Sequence, residues 1–275
     1  MKKALIIGAN GTIGTSIANE FKKEGIVFDG TFSNTIHKTF FHFNLADEDT
    51  QINYSDYSRV IICAGIAGKN VELSPDLAQQ ININGTIRLI DRVHEAGGQV
   101  TFISSSAVFS AKQQSSNETS IPSPKTLYGK HKLRVEEYLL DPSVSCFNPS
   151  IIRPTKVLSG KKGLIKSWLD DRRFTTNKAV TLSPISDIFL AKLVTEIHVG
   201  NEIGIFHVSG QDILNYVEFA ERLILETGTS PKEKNTIEDY SQLPDSATHL
   251  TTSQEMSNLN LIQTLDEFFK DILFH

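Results

Sequence analysis

Cysteine, methionine and tryptophan are scarce in this chain of 275 residues, which holds two Cys, two Met and one Trp. So few cysteines exclude a disulfide-stapled scaffold. Cys63 and Cys146 both sit in apolar, strand-like runs, so buried thiols in a reducing compartment are expected rather than a bridge. Long hydrophobic runs are absent too: none approaches the ~18 residues that a membrane span needs. Met1-Lys2-Lys3 leads straight into an apolar strand rather than a signal peptide. A cytoplasmic protein with no membrane partner is the expectation. Nor is there an excess of basic charge. Lys and Arg number 27 against 32 Asp and Glu, a net charge of −5, which offers no electrostatic case for nucleic acid. Internal repeats and low-complexity tracts are missing, and no metal is expected. What is present, 39% hydrophobic and 21% charged residues, suits a globular protein with one large α/β domain, or one plus a small appendage.

The opening stretch organises the rest. Ala4-Leu5-Ile6-Ile7 is a short apolar run that meets Gly8, Gly11 and Gly14, and Ile13, Ile17 and Phe21 then recur at helical spacing up to Gly25. This predicts a buried strand, a tight turn and a helix stopped by glycine. Glycines leave room for a diphosphate against the backbone N–H groups at a helix N-terminus. The spacing is GxxGxxG, one residue longer than the commoner dinucleotide fingerprint. An ordinary glycine-rich turn without a ligand is the alternative, but its place directly after the first strand favours a nucleotide site.

A second strand is expected within Ile26–Asn34. An acidic residue at the end of this strand binds ribose hydroxyls and repels a 2′-phosphate. Asp29 comes too early for that role, and Phe32, Ser33 and Asn34 occupy the end. Ser33, Asn34, His37 and Lys38 can accept a phosphate, which tips the balance from NAD to NADP; solvated turn residues are the other reading. Phe40–Leu45 predicts a third strand, followed by Asn44-Leu45-Ala46-Asp47 where an adenine can rest. Val60–Gly65 predicts a fourth, apolar throughout as a strand covered on both faces should be. Ser74-Pro75 opens a helix carrying Leu77, Ala78, Ile81, Gly85, Leu89 and Val93 on one face. Asn82 points to that same face, either as a structural hydrogen-bonder or as a support for an active site.

Val100–Ile103 predicts a fifth strand running into Ser104-Ser105-Ser106. A polar loop follows, and Ser123-Pro124 caps a helix over Lys125–Leu140. Ser150–Pro154 predicts a sixth strand. Alternating strands and helices indicate a parallel, doubly wound, Rossmann-like α/β sheet. From about residue 155 the texture changes. Lys156, Lys161, Lys162, Lys166, Arg172 and Arg173 surround Trp168, either to meet a nucleotide diphosphate or as a solvated surface. Further elements are expected at Val180–Leu182, from Ser186, at Ile205–Val208, at Tyr216–Leu225 and at Thr264–Leu273, with a polar, irregular Pro231–Asp245. The expected division is a dinucleotide-binding domain over 1–154 and a small, mainly substrate-binding α/β subdomain over 155–275, with some later segments returning to the sheet.

Tyr128 and Lys132 are i, i+4 neighbours early in the helix expected over Lys125–Leu140. An ammonium beside a phenol lowers its pKa, making the tyrosine usable as a general acid or base. Ser105, at a strand end, is placed to hydrogen-bond a carbonyl or alkoxide oxygen. YxxxK alone is a weak signal; joined to GxxGxxG and the serine strand end it is a strong one.

These residues carry a resemblance to the extended short-chain dehydrogenase/reductase superfamily, within it to the dTDP-4-dehydrorhamnose reductase-like nucleotide-sugar proteins, over essentially the whole length. Gly8, Gly11 and Gly14 match the family's glycine motif. Asn82-Ile83-Asn84-Gly85-Thr86 resembles its helix with a central asparagine, and Ser104–Phe109 resembles the segment in which Ser105 takes the catalytic Ser/Thr place. Glu118, Pro124, Tyr128 and Lys132 resemble its proline-tyrosine-glycine-lysine segment. Ile185-Ser186-Asp187 and Gly204–Gly210 are similar to its substrate-domain signatures. The resemblance implies a catalytic Ser105, Tyr128 and Lys132. It implies a cofactor held by Gly8, Asn10, Gly11, Thr12, Ile13, Gly14, Ser33, Asn34, Asn44, Leu45, Ala64, Gly65, Asn82, Tyr128, Lys132 and Arg153. The activity implied is NAD(P)-dependent reduction of a nucleotide-linked keto-sugar in surface polysaccharide or deoxysugar synthesis, by a homodimer, with an epimerase or a non-catalytic NAD(P)-binding regulatory subunit as alternatives. Two departures bear on this. Sugar 4,6-dehydratases place Asp-Glu after the catalytic Thr, whereas Ser106-Ala107 stands here, which speaks against dehydration. Lys156 replaces an asparagine or aromatic residue often seen in relatives.

Overall fold

The structure, a computed structural model, describes residues 2–47, 52–142, 148–237, 247–251, 259 and 262–274. In chain order its elements are β1 (Lys3–Ile7), α1 (Thr12–Lys23), β2 (Phe28–Phe32), β3 (Phe41–His42), β4 (Tyr57–Ile62), α2 (Lys69–Leu73), α3 (Pro75–Gln79), α4 (Thr86–Glu95), β5 (Gln99–Ile103), α5 (Leu127–Leu140), β6 (Ser150–Pro154) and β7 (Lys156–Leu158). Then come α6 (Gly163–Asp171), β8 (Arg173–Asn177), β9 (Thr181–Leu182), β10 (Pro184–Ser186), α7 (Asp187–Gly200), β11 (Gly204–Gly210), β12 (Leu214–Asn215), α8 (Tyr216–Thr227), β13 (Glu233–Ile237), β14 (Ile262–Gln263) and α9 (Leu265–Phe274).

Eight strands form one sheet in the order β14-β11-β6-β5-β4-β1-β2-β3, and every neighbouring pair runs parallel. The side chains of β1 show why both faces are covered. Ala4 and Ile6 join a cluster with Ile17, Ala18 and Phe21 of α1 and Leu190, Val194 and Ile197 of α7. Leu5 and Ile7 alternate to the opposite face, against Leu89, Ile90 and Val93 of α4 and Val135 and Leu139 of α5. The strand order reverses between β1 and β4, so the crevice beyond their carboxyl ends is the switch point where such sheets take ligands. Strands β11 and β14 extend the sheet beyond β6. A separate cluster packs Trp168 of α6 with Phe174, Phe219, Leu223 and Phe268. Among the described residues no helix is long and apolar enough to cross a membrane.

Several local expectations need correction. The third strand is only Phe41–His42, because the Asn44 side chain accepts from the Ala46 N–H at 3.0 Å and turns the chain. The helix expected from Ser74 is interrupted by a π-helical segment, Gln80–Gly85, which keeps Asn82 and Gly85 buried while Leu77 is 46% exposed. Pro75 does occupy the first turn, but the Ser74 side chain makes no capping bond. Helix α5 begins two residues later than expected, capped by Thr126, whose hydroxyl accepts from the Gly129 N–H at 3.0 Å. Within the polar stretch expected to be irregular, Glu233–Ile237 pairs with β8. Its residues up to Thr236 are exposed, so the strand rests on backbone pairing and carries no apolar alternation to betray it. Cys63 is a half-buried free thiol whose pKa burial pushes up to about 12; Cys146 and residues 238–245 lie outside the described residues.

Candidate active site

The glycine turn is built by close approach. A Cβ on Gly14 would stand 2.2 Å from the Gly8 carbonyl oxygen and 2.8 Å from the Ala9 Cα, so α1 can start this near β1 only with glycine there. The turn is tied to β2, because the Gly8 N–H donates to the Thr31 hydroxyl at 3.0 Å and the Ala9 N–H to the Thr31 carbonyl at 2.9 Å. Gly11 precedes α1 with no side chain to cap it, so the first N–H groups of the helix, on Thr12 and Ile13, have no intrahelical acceptor. An uncapped N-terminus and a tight turn with glycines at its close approaches, at the switch point, fit the diphosphate of a dinucleotide.

The remaining predicted cofactor residues are distributed around this crevice. Ala64 follows β4 and lies against the turn, its backbone N 3.0 Å from a Cβ built on Gly8. Ser33 and Asn34 are exposed just past β2, and Asn10 reaches their loop by donating to the Thr35 carbonyl at 3.0 Å. Asn44 forms the turn after β3, while Leu45 is buried and its carbonyl accepts from Arg88 at 3.0 Å. Asn82 takes the Ile66 N–H and gives to the Ile66 carbonyl, both at 2.8 Å, with Gly65 packed against its amide. Through these bonds Asn82 holds the loop after β4.

Arg153 needs correction as a cofactor ligand. It is 2% exposed, and its guanidinium is taken up inside the protein by Glu136, through Nε at 3.1 and 3.2 Å and Nη2 at 2.6 Å, and by His207 at 3.2 Å. The two similarities to substrate-domain signatures also work as joints of the fold. Ser186 caps α7 by accepting from the Phe189 N–H, Asp187 accepts from Ser16 of α1 at 2.7 Å, and His207 is fully buried.

Ser105, Tyr128 and Lys132 converge at the carboxyl edge of β5. Ser105 ends the strand, its hydroxyl accepting from the Ala107 N–H at 3.1 Å to cap one 3₁₀ turn. The first turn of α5 closes on that segment. A Cβ on Gly129 would stand 2.0 Å from the Ala107 carbonyl oxygen, so glycine beside Tyr128 is what lets the start of α5 close on the segment after Ser105. Gly129→Ala should therefore cost about 1–3 kcal/mol by overpacking, read as a lower midpoint in urea denaturation; an unchanged midpoint would mean α5 has room to spare.

The Lys132 ammonium donates to the Ile103 carbonyl at 2.8 Å, 4.5 Å from the Phe102 ring centre and 5.7 Å from that of Tyr128. Burial lowers its pKa to about 8, with Cys63 and Glu136 pushing the other way. Tyr128 departs from expectation: burial raises the phenol to about 12. Desolvation of the phenolate outweighs a lysine whose ammonium is directed at a backbone carbonyl. At neutral pH Tyr128 thus keeps its phenolic proton.

Two further side chains lie near the site: one of the basic residues expected to meet a diphosphate or solvent, and one to which spacing gave no role. Lys162, just before α6, lies across the glycine turn, its ammonium 3.2 Å from the Asn10 carbonyl and 3.5 Å from the Thr15 hydroxyl. Glu136 lies one turn beyond Lys132, which its i+4 spacing would have flagged. Of the other basic residues, Lys166 and Arg173 pair with Asp170 and Glu233 on the surface, as a solvated face would. A cavity of about 410 Å³ between α1, the 159–162 loop and α7 shares Thr12, Thr15 and Lys162 with the turn but does not reach Ser105 or Tyr128.

The family model described as the RmlD substrate binding domain matches residues 1–268. The chain belongs to this family. The RmlD-like fold is shared with a dTDP-4-dehydrorhamnose reductase from Bacillus anthracis in complex with NADP, at 18% identity and a TM-score of 0.80 over 100% of this chain and 99% of that one. A UDP-glucose 4-epimerase from Thermus thermophilus in complex with NAD is alike at 16% identity and a TM-score of 0.80, over 99% and 98% of the two chains. Among curated relatives, the spore coat polysaccharide biosynthesis protein SpsK of Bacillus subtilis is 27% identical over 237 residues, 83% of this chain and 80% of that protein. The methionine adenosyltransferase 2 subunit beta of Bos taurus is 31% identical over 144 residues, 51% of this chain; the match spans under half, 43%, of that relative's length.

Proposed function

We propose that this RmlD-family chain is an NAD(P)-dependent oxidoreductase that reduces a keto group on a nucleotide-linked sugar. The observation that carries the reading is the gathering of Ser105, Tyr128 and Lys132 at the sheet edge that also holds the glycine turn. When bound, NAD(P)H supplies the hydride. Tyr128, protonated at neutral pH, gives its phenolic proton to the carbonyl oxygen as charge develops there. The Ser105 hydroxyl donates to that same oxygen and polarises it. Lys132 holds a positive charge behind the phenol and offers its remaining N–H donors to the nicotinamide ribose. Gly8 to Gly14, with Asn10, Thr12 and Ile13, hold the diphosphate, and residues 155–275 mainly form the sugar site. The similarity to SpsK supports a place in polysaccharide synthesis.

The test is a screen of NADPH and NADH oxidation against a panel of nucleotide-linked 4-keto-sugars. Turnover on one of them supports reduction, whereas cofactor that stays on the purified protein and inversion of a single sugar carbon without net cofactor oxidation favour epimerisation by the same residues. Because Ser33 and Asn34, not a carboxylate, follow β2, NADPH should be used at least as well as NADH. A strong preference for NADH in kcat/KM would assign that choice to other residues.

A second reading is favoured by one observation: relatives 31% identical over half of this chain bear the name of a subunit of methionine adenosyltransferase. On that reading the chain binds the dinucleotide as a subunit of another enzyme. Tight cofactor binding with no turnover on the whole panel would support it.

A further inference from the structure

Tyr128, Lys132 and Glu136 are spaced four apart on α5 and so lie in one row along the helix. Glu136 is completely buried. Its carboxylate accepts from the Ser104 hydroxyl and from two nitrogens of Arg153. Ser104 immediately precedes Ser105, and its own N–H donates to the Ile152 carbonyl at 2.7 Å. One carboxylate therefore joins the strand end of Ser105, the helix of Tyr128 and Lys132, and β6.

The network continues. Arg153 Nη1 is 3.2 Å from His207 Nε2, while His207 Nδ1 is 3.1 Å from both the Ser116 and the Thr251 carbonyl oxygens. Carbonyls only accept, so Nδ1 carries the proton and Nε2 is the bare acceptor for Arg153. Burial, which lowers the His207 pKa to about 4, agrees with a neutral ring. The His207 N–H donates to Glu118 at 3.1 Å. With histidine neutral, the Arg153 charge is balanced by Glu136 at its Nε and Nη2 edge. Buried ion pairs roughly break even against apolar replacements of the same volume, so fold stability alone is a poor account of this one.

We propose that Glu136 is a positioning residue, which fixes Ser105 relative to Tyr128 and Lys132 and supplies the negative charge that keeps Lys132 an ammonium ion. The proposal rests on the reductase reading for the roles of those three residues, but its electrostatic half can be tested on the protein alone. The groups around Lys132 are the Cys63 thiol after β4, the Ile103 carbonyl and Phe102 ring of β5, Tyr128 and Glu136 on α5, and Arg153 of β6 behind Glu136. Taking away the Glu136 charge also leaves Arg153 uncompensated. Both changes disfavour a second cation nearby.

The experiment is a pH titration of the Lys132 ¹³Cε resonance by NMR, assigned through its loss in Lys132→Met, in the wild type and in Glu136→Gln. The wild-type midpoint is expected near the pKa of about 8 that burial sets. In Glu136→Gln it should fall by about one pH unit, the effect of removing one close opposite charge. NADPH affinity, measured by calorimetry, should then weaken at pH 7.5 and recover by pH 6. A folded Glu136→Gln with a lower Tm and an unmoved Lys132 midpoint would overturn the proposal, since a purely structural pair predicts that outcome. If Glu136→Gln does not fold, Glu136→Asp replaces it: a carboxylate drawn back by one methylene should still move the midpoint downward, and an unmoved midpoint again overturns the idea. A shifted midpoint in a protein that binds no dinucleotide at any pH would uphold the charge coupling and count against the reductase reading instead.

Discussion

Tyr128→Phe is expected to lower turnover roughly 100-fold or more, while leaving dinucleotide affinity within about twofold of wild type. The substitution removes one oxygen from a half-buried ring and leaves the ring in place. The phenol is the proton donor in the proposed chemistry, and burial holds its pKa at about 12. It therefore stays protonated across the working range. The alkaline limb of the rate profile should come from Lys132, whose pKa of about 8 is crossed first: activity is full below that pH and declines above it. Ser105→Ala should cost less than Tyr128→Phe, since a polarising hydrogen bond is lost but the proton donor remains. Lys132→Met should damage both turnover and affinity. Steady-state kinetics on the keto-sugar that the screen identifies, with calorimetric titration of NADPH, separates these cases. Wild-type turnover by Tyr128→Phe would make the tyrosine a structural residue of α5.

What was legible in the sequence was local. A strand, its glycine turn and its helix occupy consecutive residues, and Tyr128 and Lys132 are one helical turn apart, so spacing alone brings each set together. Ser105 was legible because a strand end is visible as a change from apolar to polar residues. The parallel, doubly wound sheet followed from the alternation of elements and is what the structure contains. What spacing could not give was the partner of a charged side chain drawn from far along the chain. The resemblance implied Arg153 as a cofactor ligand, yet Glu136, 17 residues earlier, consumes it. Lys162 reaches the glycine turn across 152 residues, and nothing in its basic neighbourhood distinguished it from Lys166, which merely pairs with Asp170. The Tyr128 pKa went the opposite way from expectation for a related reason. The i, i+4 geometry places a lysine near the phenol, but not the Ile103 carbonyl that draws its ammonium or the protein that desolvates the ring.

Gly11→Val and Gly14→Ala should separate binding from folding in the glycine turn. Gly11 is exposed, with φ at −70° and extended ψ, a conformation that any residue adopts. A Cβ there would meet only the Gly8 carbonyl, at 3.3 Å, a contact the turn can relieve by a small shift. The valine methyls would then project from the helix N-terminus into the space proposed for the diphosphate. Gly11→Val is expected to fold with a midpoint in urea close to wild type and to show no measurable NADPH binding by calorimetry. Gly14→Ala is the smaller change with the larger structural effect. Its methyl would fall 2.2 Å from one backbone atom and 2.8 Å from another, neither of which can rotate away as a side chain would, so the turn itself must move. The cost should be about 1–3 kcal/mol or somewhat more, and binding should be lost with it because the N–H groups of Thr12 and Ile13 shift with the turn. Full NADPH affinity in Gly11→Val would overturn the assignment of this turn as the cofactor site. Gly14→Ala at wild-type stability would instead show that α1 and β1 are not held as closely as their backbone contact requires.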